Sequence, residues 1–244
     1  MKHWRESVIL VILCACMLRG LWLFDFILAP LYDLASRQQP VESKKDLLRV
    51  YQSFQTVRYA QIPDWVSRYQ VEKYGHSKRY QRSEFLRISW FERYRFVVGR
   101  HRVKDFMTKD RLFREHVPIP HLDKVQILCL DKQLLLRLLE LKTALKKKGM
   151  NPDAFSITSG FRPSSYNQLV KGASRSQHLW GNAIDLWVSD VDKNGKVNRK
   201  DSDEVYRLLD QKIIGSKGGV GKYESYRLLH MDTRGKRARW DYSQ

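Results

Sequence analysis

Cysteine is scarce in this 244-residue sequence, and acidic side chains are far outnumbered by basic ones. Of the three cysteines, Cys14 and Cys16 lie in an apolar N-terminal stretch and Cys129 stands alone, so neither a disulfide framework nor a thiolate metal site is predicted. Asp and Glu number 26 against 45 Lys and Arg, which gives a formal charge of +19. Such a chain is attracted to polyanions, including nucleic acid, acidic lipid headgroups and anionic cell-wall polymers.

An uncharged apolar run of the roughly 20 residues that span a bilayer is also missing. Two basic residues precede the apolar residues 8–18, as in a secretory signal, and the apolar pattern continues to residue 28 with Arg19 and Asp25 interrupting it. A charge inside a bilayer is costly unless it pairs or reaches the interface. Three interpretations follow: a retained membrane anchor, which we favour, a cleaved signal, or a lipoprotein lipidated at Cys16. Each places the rest of the chain in the cell envelope outside the cytoplasm, in the periplasm.

The sequence lacks long polar, low-complexity stretches, and its composition of 43% hydrophobic and 29% charged residues is typical of a folded protein. Its length fits one sizeable domain with an extension. We therefore divide the chain into an export or anchor segment (residues 1–36), a basic, aromatic-rich N-terminal region (37–124) and a C-terminal domain (125–244).

The region 37–124 interleaves basic and aromatic side chains, as a surface that stacks on nucleic-acid bases does. The alternative, which we favour, is a solvated basic face with a half-buried aromatic stripe. Because the leader directs the chain out of the cytoplasm, we expect no nucleic-acid partner. The interleaved residues are Arg79, Tyr80, Arg82, Arg93, Tyr94, Arg95 and Phe96.

The C-terminal domain has the clearest secondary-structure pattern. Asp131 is a predicted N-cap for a helix over residues 132–148, in which leucines recur at helical spacing until Gly149 ends it. Strands are predicted over 155–160, 183–188 and 226–232. The predicted fold class is α+β, with a small antiparallel sheet flanked by helices and preceded by a basic helical extension.

Two imidazoles and a carboxylate in this domain form a candidate metal site. His178, Asp185 and His230 are a common donor set for catalytic zinc, which leaves a fourth position to a water whose pKa falls to about 7. Asp185 interrupts an apolar strand, where a bare carboxylate is costly, while His230 and Asp232 are two apart and project from one strand face. The alternative is a buried structural salt bridge.

Further motifs surround these residues in order along the chain. They are Ile-Thr-Ser-Gly-Phe-Arg-Pro at 157–163, Tyr-Asn at 166–167, Gly-Ala-Ser at 172–174, the segments 176–185, 218–223 and 230–235, and Arg-Trp at 239–240. Together they resemble the zinc D-alanyl-D-alanine carboxypeptidase and murein endopeptidase family, over roughly residues 125 to 240.

The resemblance implies a hedgehog-like zinc peptidase fold with one zinc ion on His178, Asp185 and His230. It implies cleavage of peptide bonds in bacterial peptidoglycan, by a D-Ala-D-Ala carboxypeptidase or a crosslink endopeptidase. Arg162 would bind a substrate carboxylate or steady the oxyanion, or would simply cap its turn. Ser176 would orient the first ligand loop, and it and Tyr223 are expected at the substrate.

The resemblance does not assign the general base to a residue of this chain. Related zinc peptidases often place Glu, Asp or His two or three residues before the last histidine, where this chain has Arg227 and Leu228. Asp232 is the first candidate base, and its alternative role is to hold the imidazole of His230. Glu224 is the second candidate, with a surface role as its alternative. Without a base, the domain would be a non-catalytic peptidoglycan-binding module with a structural zinc.

Residues 190–201 follow the EF-hand pattern, except that an aspartate replaces the usual glutamate at the last position. Calcium binding is predicted, although four basic residues in the loop weaken it; the alternative is an Asx-rich turn that needs no metal. The predicted calcium ligands are Asp190, Asp192, Asn194, Lys196 through its carbonyl oxygen, and Asp201.

Overall fold

The computed structural model describes residues 38–61, 83–89, 91–108 and 126–243. The described residues from Pro40 onward form one compact unit. The predicted export or anchor segment, residues 1–36, lies outside the described residues. In the described ranges, the search for a helix long and apolar enough to cross a membrane finds none.

The basic region contributes strands as well as a helix. Helix α1 (Lys44–Gln52) is followed by strands β1 (Gln55–Arg58), β2 (Glu84–Ile88), β3 (Phe96–Val98) and β4 (His101–Arg102). Short 3-10 turns cover Tyr59–Gln61, Glu92–Tyr94 and Val103–Phe106. The prediction of a helical extension is therefore only partly right, because aromatic and β-branched residues such as those of β3 favour strands.

Strand β5 (Gln126–Leu128) joins the C-terminal domain to this region. It pairs antiparallel with β2, which in turn pairs antiparallel with β1, in a three-stranded sheet. The basic region and the start of the C-terminal domain thus share one sheet. The boundary drawn at residue 124 stays a prediction.

Tyr94 and Phe96, two of the aromatic residues considered for base stacking, are buried. A side chain enclosed by protein cannot stack on a base, so these two do not form such a surface. The earlier interleaved residues, Arg79, Tyr80 and Arg82, lie outside the described residues.

Helix α2 (Lys132–Lys147) begins where the sequence predicts and ends one residue before the predicted end at residue 148. The Asp131 side chain accepts a hydrogen bond from the Gln133 N–H at 2.9 Å, and Gly149 follows the helix with φ +74°, a left-handed conformation suited to glycine. The recurring leucines of this helix are buried. The helix therefore packs one apolar face on the core, as its periodicity predicts.

The C-terminal domain is built on a five-stranded sheet with the order β10-β8-β9-β7-β6. Its strands are β6 (Phe155–Ser159), β7 (Ala183–Val188), β8 (Gly219–Lys222), β9 (Leu228–Asp232) and β10 (Ala238–Asp241). All neighbours are antiparallel except β10 and β8. The prediction of an antiparallel sheet is wrong for β10, because the chain after β9 passes across β8 and pairs with its free edge.

Helices α3 (Ser164–Leu169) and α4 (Arg199–Leu208) complete the domain, with a π-helical turn at Leu209–Ile213 and 3-10 turns at Gln177–Trp180 and Gly215–Lys217. Side chains alternate between the two faces of a strand. One face of β7 and β9 is apolar and buried in the core, through Ile184, Leu186, Leu229 and Met231. The opposite face of these two strands is therefore free to carry polar chemistry.

Candidate metal centre

Asp185 and His230 lie directly opposite each other on β7 and β9, as partners in the antiparallel register. His178 lies in the 3-10 turn just before β7. Asp185 Oδ1 is 3.2 Å from His178 Nε2 and 2.9 Å from His230 Nδ1. All three side chains are buried. The structure thus brings together the three residues that the sequence singled out.

The spacing of these atoms fits one zinc ion. A tetrahedral ion with bonds of about 2.0–2.1 Å holds its donor atoms about 3.3 Å apart. The two nitrogen-to-carboxylate distances, 2.9 and 3.2 Å, are close to that value, and the three donor atoms lie within 4.8 Å of one another. Two neutral imidazoles and one carboxylate are also a donor set that zinc accepts.

The remaining ring nitrogens have partners that fix the histidine tautomers. His178 Nδ1 is 2.8 Å from the carbonyl oxygen of Gly160, which can only accept, so this nitrogen carries the proton. His230 Nε2 is 2.9 Å from Asp232 Oδ2 and donates to that carboxylate. His178 Nε2 and His230 Nδ1 are then left with lone pairs directed toward Asp185 and a metal.

Asp232 is fully buried and accepts hydrogen bonds on both oxygens. Oδ1 accepts from the backbone N–H groups of Gly219 and Arg234, each at 3.0 Å, and Oδ2 accepts from the Arg234 guanidinium at 2.5 Å. Although burial opposes it, hydrogen bonding to His230 and Arg234 holds the pKa of Asp232 well below its usual range.

These contacts bear on the two roles predicted for Asp232. A general base needs a free lone pair at the reacting water, whereas Asp232 faces the outer nitrogen of His230 and is saturated with donors. The role of Asp232 as general base stays a prediction, which these contacts do not favour. The geometry matches the alternative, in which Asp232 holds the imidazole of His230 in place.

Two glycines of β8 allow the supporting groups to approach. A Cβ at Gly219 would lie 2.1 Å from Asp232 Oδ2, and one at Gly221 would lie 2.0 Å from the indole of Trp240. The Trp240 ring packs on His230 with 4.9 Å between centroids. Neither position tolerates a side chain without displacing a group that touches His230.

Arg162 follows β6 and binds Asp185 on the side away from the histidines. Its Nη2 donates to Asp185 Oδ2 at 2.5 Å and its Nε donates to Ser159 Oγ at 2.7 Å. Its backbone N–H donates to the carbonyl of His178 at 3.1 Å. Burial opposes ionisation of Asp185, but the two histidines outweigh it and hold the pKa of Asp185 below its usual range. Arg162 is thus placed at the centre, as predicted.

Tyr223, the residue after β8, also lies at the centre. Its hydroxyl is 3.3 Å from Asp185 Oδ1 and 3.5 Å from His230 Nδ1. Burial, and then the charge of Asp185, raise the pKa of Tyr223 above its usual value. The next residue, Glu224, is exposed, which matches its alternative surface role. Ser176 is half-buried and begins the turn that carries His178.

Sequence reasoning gave no role to several groups that support the histidines. Gly160 contributes only its carbonyl oxygen, so its identity carried no signal. Arg234 and Trp240 lie within the motifs that carry the family resemblance, but no local pattern indicates that they contact Asp232 and His230 respectively. The two glycines of β8 were a signal in the sequence that could have located these groups, since glycine within a strand indicates that another group approaches the backbone closely.

The predicted calcium loop brings the carboxylates of Asp190, Asp192 and Asp201 within 4.8 Å of one another. Their oxygens accept backbone N–H groups within the loop: Asp190 Oδ2 from Gly195 at 2.8 Å, and Asp201 Oδ1 from Val191 at 2.8 Å. Asn194 and Lys196 are exposed and take part through an Asx turn, in which the Lys196 N–H donates to Asn194 Oδ1 at 2.8 Å. Both predicted alternatives share this geometry, so calcium stays a prediction.

This α+β domain gathers two histidines and an aspartate on one sheet face, each held by a further hydrogen-bond partner. The arrangement is a candidate site for a single metal ion. Residues 124–232 match a family model described as Peptidase M15. The match supports assigning this part of the chain to the peptidase M15 family, whose members are zinc-dependent. The predicted resemblance is confirmed. The search of curated proteins found no match to the chain.

Proposed function

We propose that this chain is a zinc peptidase that hydrolyses peptide bonds in bacterial peptidoglycan, as a D-Ala-D-Ala carboxypeptidase or a crosslink endopeptidase. The observation that carries the proposal is the convergence of His178, Asp185 and His230 at zinc-ligand spacing. Membership of the M15 peptidases supports hydrolysis of a peptide bond. The motifs around the site, which resemble those of murein peptidases, support the substrate class.

In this proposal His178, Asp185 and His230 hold the zinc ion. When bound, zinc supplies an activated water and polarises the carbonyl group under attack. The protein itself holds the two histidines in the tautomers that can bind a metal. Gly160 and Asp232 hold the outer protons of the imidazoles, so that the inner nitrogens are free to bind metal without first losing a proton.

Arg162 supports a substrate that carries carboxylates. Its guanidinium lies beside the centre, held by Asp185 and Ser159, with 15% of its side chain exposed. A fixed cation at this position attracts the carboxylates of stem peptides and stabilises negative charge that develops on the reacting carbonyl. Because the same side chain also holds Asp185, it links substrate binding to the geometry of the centre.

One observation favours the rival function, a peptidoglycan-binding module with a structural zinc. Among the described residues, the carboxylates in contact with the two histidines are Asp185 and Asp232. The first is a proposed ligand and the second is saturated with donors, so neither resembles a general base. A domain of this kind could hold a wall peptide without cleaving it.

We infer that the domain works in the cell envelope, on the periplasmic side. The support is the sequence of residues 1–36, with its basic start and apolar run, and a formal charge of +19 that suits an anionic wall or membrane surface. Fractionation of cells that produce the full chain tests this. Recovery of the protein from the cytoplasmic fraction alone would contradict it.

The proposed function is tested by incubating the full chain with purified crosslinked muropeptides and zinc, followed by mass spectrometry of the products. A His178→Gln variant and a chelator-treated sample serve as controls, with circular dichroism to verify folding. Zinc-dependent cleavage that both controls abolish establishes the peptidase, and the product masses identify the bond. Intact muropeptides in the presence of one bound zinc per chain would establish the binding module instead.

A further inference from the structure

Tyr223 is positioned by the sheet, close to the proposed ligand atoms. Its backbone N–H donates to the carbonyl of Leu228 at 3.1 Å, which ties it to the start of β9. Its ring meets that of His230 edge to face, with centroids 6.4 Å apart and planes at 85°. The hydroxyl is thereby held beside Asp185 Oδ1 and His230 Nδ1. Both of these atoms are proposed metal ligands, so the hydroxyl borders the place where the reacting group must lie.

The hydrogen-bond geometry leaves this hydroxyl largely uncommitted. Its distances to Asp185 Oδ1 and His230 Nδ1 are 3.3 and 3.5 Å, whereas a normal O–H···O hydrogen bond measures about 2.5–3.0 Å. Asp185 Oδ1 is also approached by both histidines at shorter range. Among the described residues, the hydroxyl makes these two long contacts, so this half-buried donor can turn to a better acceptor when a substrate supplies one.

Arg162 has a different role, although it touches the same carboxylate. Its contacts to Asp185 Oδ2 and Ser159 Oγ measure 2.5 and 2.7 Å, which is the range of strong hydrogen bonds. Breaking them would release Asp185. Arg162 therefore fixes Asp185 in addition to its proposed role at the substrate. The Tyr223 hydroxyl, in contrast, offers a proton that no strong hydrogen bond to a described residue occupies.

We propose that the Tyr223 hydroxyl donates a hydrogen bond to the carbonyl oxygen of the bond being cleaved, and that this bond strengthens as the oxygen becomes negative. This inference rests on the proposed peptidase function. A phenol with an ordinary pKa of about 10 is protonated at neutral pH, so Tyr223 acts as a donor and keeps its proton throughout. A preorganised donor aimed at developing charge is worth about 10²–10³-fold in kcat.

The test compares Tyr223→Phe with Tyr226→Phe in the full chain. Tyr226 is the matched control, because its hydroxyl makes a 3.5 Å contact with the Val197 carbonyl in a neighbouring loop. We expect Tyr223→Phe to lower kcat about 10²–10³-fold on muropeptides, with KM, melting temperature and bound zinc unchanged. Tyr226→Phe is expected to match the wild type in all four.

A second measurement separates this role from a structural one. A phosphinate analogue of D-alanyl-D-alanine carries the tetrahedral negative oxygens of the transition state, whereas the product peptide does not. Tyr223→Phe should weaken binding of the phosphinate by a factor similar to the loss in kcat and leave product binding unchanged. Equal weakening of both ligands would overturn the inference.

Other outcomes are equally decisive. A Tyr223→Phe protein that retains kcat within about threefold would disprove the donor role and leave the peptidase function intact. Loss of bound zinc in this variant would show that Tyr223 holds the metal site together instead. If the wild type binds zinc but cleaves no muropeptide, the proposed function fails and this inference fails with it.

Discussion

Replacing Asp232 by Asn should weaken zinc binding although no ligand is removed. An amide has one accepting oxygen and one donating nitrogen. The backbone N–H groups of Gly219 and Arg234 require the oxygen at Oδ1, so the amide nitrogen would face His230 Nε2. Two donors cannot share that contact, and the imidazole would move its proton to Nδ1. The lone pair that faces Asp185 would then be lost.

The expected magnitude follows from the role of such supporting carboxylates. Losing the partner behind a metal-binding histidine typically costs 10–100-fold in metal affinity, which corresponds to about 1.4–2.7 kcal/mol. The metal-free protein should also lose stability, because Arg234 no longer meets a carboxylate at 2.5 Å. Hydrogen bonds to charged groups contribute about 1.5–3 kcal/mol each.

The assay is a competition for zinc between the protein and a chromophoric chelator at neutral pH. Asp153→Asn is the matched control, since it makes the same chemical change at a carboxylate whose partner is Lys142. We expect weaker zinc binding for Asp232→Asn and unchanged binding for the control. If Asp232→Asn binds zinc as tightly as the wild type, the reasoning from hydrogen bonds to tautomer is wrong.

Three further predictions concern the surroundings of the site. Gly221→Ala should lower the free energy of unfolding by about 1–3 kcal/mol in urea titrations, because the added methyl meets Trp240; an unchanged midpoint would contradict the close approach. Asp201→Ala should lower the free energy of unfolding by about 0.5–2 kcal/mol through loss of the capping box. If the loop binds calcium, added calcium should raise the melting temperature of the wild type and not that of this variant. Burial raises the pKa of Asp153, but the hydrogen bond and charge of Lys142 outweigh it and lower the folded-state pKa below the ordinary 3.8. The stability this contributes is present above pH 3.8 and disappears as the pH falls through the folded-state pKa, so Asp153→Asn should remove that part of the acid sensitivity.

Local patterns in the sequence predicted much of the C-terminal domain. Helix α2 was predictable because its cap, its leucine spacing and its terminal glycine all agree. Strand β7 was predictable as an apolar run, and Asp185 was conspicuous because it interrupts that run. These signals lie within a few residues of one another, so short-range physical rules are sufficient to find them.

The remaining features depend on pairing between distant segments. Asp185 faces His230 because β7 and β9 pair in one register, and a shift by one residue would turn one of them toward the core. The parallel pairing of β10 with β8 depends on where the chain crosses after β9. The saturation of Asp232 depends on Arg234 folding back on it. No local composition specifies any of these, so the sequence alone does not distinguish the two roles predicted for Asp232.

The arrangement around Asp185 indicates how the proposed ligand side chains are held in place. Oδ1 faces both imidazoles and Oδ2 accepts a hydrogen bond from Arg162, so one carboxylate contacts all three groups. Each of those groups is also held from behind, by Gly160, Asp232 or Ser159. A zinc ion bound to the inner nitrogens and to Asp185 would leave these outer contacts in place. Since the ligands need no new support on binding, the ordering cost that would otherwise weaken zinc affinity has already been met in folding.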